Sequence, residues 1–348
     1  MIEQATLGRT GVSVSRVCLG TMNFGGRTEY AEAVRILDRA YECGVDFIDT
    51  ANVYGHDPAD FRLGRGRSEE IVGAWLRGRR DDVFLATKVF FPMHDRPGGL
   101  GPSRRNVIRE CEGSLRRLGT DYVDLYQLHH PSNDVPLDET LRALDDLVTA
   151  GKVRYVGTSS FAAWQVLESL WISSDRHLVA VSTEQPVYNL LDRRIERELV
   201  PMAQTYGLGL LTWSPLAGGV LAGRYERGAP APQDSRHSTF WLGRQDALTD
   251  TVFDTVNRLA EVAAEAGLDL HALAQAWVLE QRGVSSMIVG PRTLEHLEAA
   301  LAAAAADLPR DALDAIDAIV PPGRATLPQY GHDGLAWTTW GPHHHAWR

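Results

Sequence analysis

The chain has 348 residues, 44% hydrophobic and 23% charged, with a formal net charge of −10. That is the balance of a water-soluble globular protein with room for a large core, and its acidity argues against nucleic acid or an anionic membrane surface as partner. Three scattered cysteines (Cys18, Cys43, Cys111) suit neither a disulfide framework nor a zinc cluster, no run of about 18 apolar residues marks a membrane span, and no secretory signal opens the sequence, so the expected location is cytoplasmic.

In chain order, a short N-terminal hairpin precedes the first strand-like run, RVCLG (16–20), and the helix-period stretch YAEAVRILDRAYECG (30–44). Then come strand DFIDT (46–50), helix SEEIVGAWLRG (68–78), strand VFLATK (83–88), helix RRNVIRECEGSLRRLG (104–119), strand VDLYQLH (123–129) and helix LDETLRALDDLVTAG (137–151). Strands VRYVGTS (153–159) and AVSTEQ (180–185) lead to helix RRIERELVPMAQTYG (193–207), strand GLLTWSP (209–215), strand SMIVG (286–290) and an alanine-rich helix, EAALAAAAAD (298–307). Several helical stretches end on the glycine expected just past a helix. Eight strand-helix units imply an α/β fold with a closed parallel sheet, a (β/α)8 TIM barrel. A doubly wound open sheet would carry G-x-G-x-x-G after its first strand, and CLGTMNFGG does not match it. The reading is one domain, 1–348, with long loops, chiefly 216–248, and a tail from about 321.

In such a barrel the C-terminal strand ends share one face, where polar residues serve chemistry. Asp49 ends the second strand with Tyr54 in the loop beyond, Lys88 ends the third and His129 the fourth. Each alone also reads as ordinary packing or a turn. Lys88 stands out because only two of the 35 basic residues are lysines, the other being Lys152 past a helix end. A buried Lys88 needs the counter-charge of Asp49, and its ammonium is expected to stabilise tyrosinate and lower the Tyr54 phenol pKa. Tyr54 then protonates a developing alkoxide while His129 positions it, which is carbonyl reduction if a cofactor supplies hydride.

From LGRTGVSVSRVCLGTMNFG through DTANVYG, LATKV, SLRRLGTDYVDLYQLHHP, GKVRYVGTSSF, EQPVYNLLDR and LTWSPLAGGVLAGRY to IVGPRTLEHLEAAL, the chain resembles the aldo-keto reductases. The resemblance implies a catalytic tetrad of Asp49, Tyr54, Lys88 and His129 and an NADPH/NADP cofactor. It assigns Ser159, Ser160 and Gln185 to the carboxamide and Trp213 to stacking on the nicotinamide. Ser214, Leu216, Ala217, Gly218 and Arg224 would wrap the pyrophosphate. Gly20, Thr21, Met22 and Asp49 belong to the same site, and Gly290, Arg292 and His296 to the adenosine end, with Arg292 facing a 2′-phosphate. Around a small carbonyl substrate, Phe24, Phe90, His130 and Trp241 are expected beside Tyr54 and His129. No metal is implied.

Two departures stand out. Ala299 and Ala300 replace the Glu-Asn that usually holds the adenine, His296 replaces a usual glutamine, and the loop HDPADFRLGRGRSEE after Gly55 is lengthened. Contexts such as LHHP resemble a bacterial branch that reduces keto-sugars, aldehydes and ketones. The family also includes non-catalytic nicotinamide-binding subunits of potassium channels, the alternative function. Trp337, Trp340 and Trp347 in the tail, beside His343, His344 and His345, imply a cover, either the barrel mouth or a second copy in a homo-oligomer.

Overall fold

Short strands rich in Val, Ile, Leu and Phe, separated by helices, bury both faces only in a parallel sheet covered on one side and filled on the other. The computed structural model, which describes residues 2–327 except 58, 59, 61, 96, 234 and 239–246, has this architecture. Trp241 and the tail segment 330–348 lie outside the described residues.

A hairpin of β1 (Gln4–Thr6) and β2 (Ser13–Ser15) comes first. The barrel strands are β3 (Val17–Gly20), β4 (Phe47–Asp49), β5 (Phe84–Val89), β6 (Val123–Leu128), β7 (Val153–Ser159), β8 (Val181–Gln185), β9 (Gly209–Thr212) and β10 (Val284–Val289). All pair in parallel with their sequence neighbours, and β10 closes the ring between β9 and β3, with Val284 opposite Leu210 and Met287 opposite Val17. The expected (β/α)8 barrel with its N-terminal hairpin is therefore the observed fold.

The helices among the described residues are α1 (Tyr30–Glu42), α2 (Arg67–Trp75), α3 (Arg104–Leu118), α4 (Leu137–Thr149), α5 (Ala163–Arg176), α6 (Leu199–Tyr206), α7 (Asp250–Glu265), α8 (Leu270–Glu280), α9 (Leu294–Ala304) and α10 (Arg310–Ile319). None is long and apolar enough to cross a membrane. Gly119 ends α3 in the left-handed region, φ 64°, as its sequence position predicts.

The helices differ from expectation in two ways. The stretch 193–207 is not one helix: a 3-10 turn at Arg194–Glu196 precedes α6. Pro201 has no N–H and tolerates only a first helical turn, so the helix must start near Leu199. Arg193 is instead buried, with its guanidinium on Glu196, Asp317 and the Val320 carbonyl. The second is that the sequence reading places none of α5, α7, α8 and α10. For α5 the reason is visible. Its exposed Trp164 and Trp171 blur the apolar stripe that identifies a surface helix.

Side chains alternate along each barrel strand. Cys18, Phe47, Ala86, Leu125 and Leu211 form an apolar layer inside the barrel, and Leu7 and Val14 from the hairpin complete it. Two residues further along the same strands come Gly20, Asp49, Lys88 and Gln127, a second layer toward the C-terminal mouth. The opposite faces, including Leu19, Ile48, Leu85, Tyr126 and Val156, pack against the helices in the main core.

Candidate active site

Above the apolar layer sits a buried charge pair. Lys88 is fully buried and ion-pairs with Asp49. Its ammonium has three N–H donors. They go to Asp49 Oδ1, to the Thr50 carbonyl at 2.9 Å and to Tyr54 Oη at 3.2 Å. The other Asp49 oxygen accepts from Gln127 Nε2 at 3.2 Å and Gln185 Nε2 at 3.1 Å. Each charge is thus paired and hydrogen-bonded, the condition under which burial is tolerated.

Tyr54 bridges this pair to the open cavity. Its hydroxyl lies 3.4 Å from His129 Nε2, and the ammonium sits 4.7 Å from its ring centre. The four residues expected to converge from the ends of β4, β5 and β6 do meet. Burial pulls the Lys88 pKa down, but the Asp49 charge, Tyr54 and the hydrogen bonds to both outweigh it and hold the ammonium above its ordinary value. Burial pushes the Tyr54 phenol up, and the opposing pull of Lys88 does not overcome it. This corrects the expected lowering: the proton stays on Tyr54. Burial, then the charges of Lys88 and His130, hold His129 well below the usual imidazole range, so it is neutral at physiological pH.

The cavity beside Tyr54 has a volume of about 400 Å³. Asp49, Tyr54, His129 and His130 line it, as do Gly20, Met22, Ser159, Ser160, Gln185, Trp213, Ser214, Leu216, Gly218, Arg224, Gly290, Arg292 and His296. Lys88 lies behind Tyr54, off the wall. Four expected contacts also lie elsewhere. Thr21 is buried, with its hydroxyl on the Asp49 carbonyl and on Ser68. Ala217 is buried beneath the wall, and Phe24 packs in the main core. Phe90 packs edge-on against Phe91 and His130, and Phe91 takes the wall. Strand alternation from Lys88 points to Phe90, but β5 ends at Val89 and the register stops there.

Gln185 organises its surroundings through both ends. Its side-chain amide nitrogen holds Asp49 and Gln127, while its backbone carbonyl accepts from Ser159 Oγ at 2.9 Å and Trp213 Nε1 at 3.2 Å. That last bond fixes the indole on the cavity wall. Beyond it the chain turns through left-handed conformations at Ser214, Ala217, Gly218 and Gly219 (φ 61°, 49°, 70° and 99°). Asn189 Nδ2 holds the Ser214 carbonyl at 3.0 Å and Tyr225 Oη the Gly218 carbonyl at 2.9 Å. Such a concave turn suits an anion. Three guanidinium groups, Arg224, Arg236 and Arg292, line the same cavity. These residues fit a phosphate-bearing dinucleotide, with Trp213 as the wall for one of its rings. No group of three or more His, Cys, Asp or Glu suited to a metal occurs among the described residues.

Several wall residues have no counterpart in the sequence reading: Asn23, His56, Phe91, Arg236, His271 and Gln275. Gln127, in the same layer as Asp49 and Lys88, was legible in principle because it lies two residues before His129 on the same strand face. Gly157 leaves room beside it, since an added Cβ there would fall 3.3 Å from Gln127 Cγ and 2.2 Å from Thr183 Oγ1.

A parallel barrel whose mouth joins a buried Lys-Asp pair, a phenol and a neutral imidazole to a long cation-lined cavity is a barrel oxidoreductase by architecture. The chain belongs to the aldo/keto reductase family, whose profile matches residues 16–321. It is 38% identical over 337 residues, 94% of this chain and 99% of the relative, to "Uncharacterized oxidoreductase YrpG" of Bacillus subtilis. It is 38% identical over 301 residues, 83% of this chain and 87% of the relative, to a "Probable voltage-gated potassium channel subunit beta" of Oryza sativa subsp. japonica. It is 33% identical over 356 residues, 93% of this chain and 92% of the relative, to "Aldo-keto reductase dtxS3" of Metarhizium robertsii.

Proposed function

We propose that this oxidoreductase reduces an aldehyde or ketone, a keto-sugar among the candidates, to its alcohol with NADPH. The observation that carries this reading is the Tyr54 hydroxyl, held on the cavity wall between Lys88 at 3.2 Å and His129 at 3.4 Å. Reduced nicotinamide supplies hydride when bound. Trp213 would offer its ring as the stacking wall, and Arg224, Arg236 and Arg292, which line the cavity, would hold the phosphates through charge-assisted hydrogen bonds. Neutral His129 donates Nε2–H to the carbonyl oxygen and sets it beside Tyr54. As negative charge gathers on that oxygen, Tyr54 gives up its proton, and the tyrosinate left behind is stabilised by Lys88 in a site shielded from water. Asp49 keeps Lys88 charged. Free thiols at Cys18, Cys43 and Cys111 support a reducing, cytoplasmic setting.

A second reading, a nicotinamide-binding regulatory subunit without turnover, is favoured by the likeness to proteins named as channel subunits. Titrating NADPH and NADH against tryptophan fluorescence and then following nucleotide oxidation with aldehydes, ketones and keto-sugars separates the two. Carbonyl-dependent oxidation with NADPH preferred supports the reductase. Tight binding with no turnover on any carbonyl supports the subunit, and equal affinity for the two nucleotides removes the role given to Arg292.

A further inference from the structure

The cavity that begins at Tyr54 runs out between α8 and α9, where its lining is His271 and Gln275 on α8, His296 and Ala300 on α9, and Arg292 before α9. If Trp213 and Tyr54 mark the nicotinamide end, this is where the other nucleoside must lie. The α9 wall offers no base-reading amide there: Ala300 presents a methyl group and Ala299 is exposed. The α8 wall does. Gln275 is 1% exposed on a helix whose neighbouring residues Leu273, Ala274, Ala276, Trp277 and Val278 are all buried and apolar.

A buried carboxamide is costly unless its hydrogen bonds are made. Among the described residues Gln275 bonds only the His271 ring, with its amide nitrogen over the ring, 2.8 Å from Nε2 and 3.3 Å from Nδ1. An N–H aimed at the electron-rich face of a neutral imidazole is favourable where a carbonyl oxygen is not, so the ring fixes which way the amide faces. Burial outweighs the opposing pull of Asp269 and, with a smaller contribution from His296, holds the His271 pKa below its ordinary value, in keeping with the neutral ring this bond needs. One N–H and the carbonyl oxygen of Gln275 are left for a ligand.

We infer that Gln275, held in register by His271, reads the adenine base from α8 in place of the residues absent from α9. A carboxamide matches adenine in two bonds, accepting from the 6-amino group and donating to the adjacent ring nitrogen. Hypoxanthine carries an oxygen at position 6. To accept from Gln275 it would need the amide reversed, which breaks the bond to His271. The inference rests on the nicotinamide-dinucleotide reading and adds the residue that discriminates its base.

The test compares dissociation constants of NADPH and its hypoxanthine counterpart, read by tryptophan quenching, in the wild type, Gln275→Leu and His271→Ala, each checked for folding by its melting curve. The wild type should prefer adenine by ~10-fold or more, the discrimination of one bidentate pair. Gln275→Leu should bring the ratio to about one, and His271→Ala, at a half-buried site that spares helix packing, should lower it severalfold even if the leucine variant does not fold. Equal binding of the two forms by the wild type, or a ratio unchanged in either folded variant, overturns the role of Gln275 and leaves the nicotinamide reading standing. A wild type that binds neither form overturns both.

Discussion

Lys88 uses all three of its N–H donors, on Asp49, Thr50 and Tyr54, inside a space with no water exposure. A guanidinium is planar and larger, and its donors spread in a fork that this pocket does not match. Lys88→Arg is therefore expected to cut carbonyl reduction by ~10²-fold or more, the scale of a lost positioned acid, even though arginine serves at nearly every other basic position of the chain. Steady-state kinetics beside a melting curve check it, and near-normal activity in a folded variant would show that any cation suffices. The scarcity of lysine made Lys88 legible from the sequence, and strand alternation made Asp49 and His129 legible. Lys152, the other lysine, pairs with Glu112 on the surface, as its place past a helix end suggests. Burial was the part not legible. It decides the phenol pKa, and a linear sequence gives no depth at Tyr54.

At the scale of elements, Glu184 shows what depth adds. It is a fully buried carboxyl on β8 that accepts from Thr158 Oγ1 and from the Phe161 N–H at 3.0 Å, pinning the corner where Ser160 takes a left-handed φ of 61°. Burial pushes its pKa up to about 8 from 4.5, against the hydrogen bonds from Thr158, Phe161 and Ser160. Below about pH 4.5 it is protonated whether the chain is folded or not. Between that value and about 8 the unfolded chain releases a proton that the folded chain keeps, so its contribution to stability falls as pH rises and levels off above. The full loss is on the order of 5 kcal/mol as an upper bound. Chemical unfolding at pH 5 and pH 9 should show the wild type losing ground to Glu184→Gln as pH rises. A difference independent of pH would mean that the carboxyl does not titrate in the fold. The strands around this corner were readable from apolar runs and turn residues. Helix α5 was not, because its outward tryptophans hide its periodicity, and the start of α6 depended on the positional meaning of Pro201.

Across the whole molecule the barrel divides its labour between two ends. The hairpin and the apolar layer of Leu7, Cys18, Phe47, Ala86 and Leu125 close one end, and the polar layer opens at the other. Leu7→Ala should thus cost ~2–5 kcal/mol of stability. It should leave the kinetic constants of the folded protein unchanged, a separation that unfolding curves and initial rates measure together. Altered KM in that variant would mean that the two layers are coupled. The division follows from a pattern visible in one dimension, since Cys18, Phe47, Ala86 and Leu125 are each followed two positions later by a glycine or a polar residue. The far wall of the cavity, from α8 and α9, was the least legible, because His271 and Gln275 acquire meaning only when a helix after a long loop is set against β10. The central claim is that Tyr54 delivers the proton, and the measurement that tests it most directly is Tyr54→Phe, assayed for NADPH binding by fluorescence and for carbonyl reduction by single-turnover kinetics. The account predicts nearly unchanged binding with reduction slowed by ~10²-fold or more. Full-speed reduction by the phenylalanine variant would contradict it.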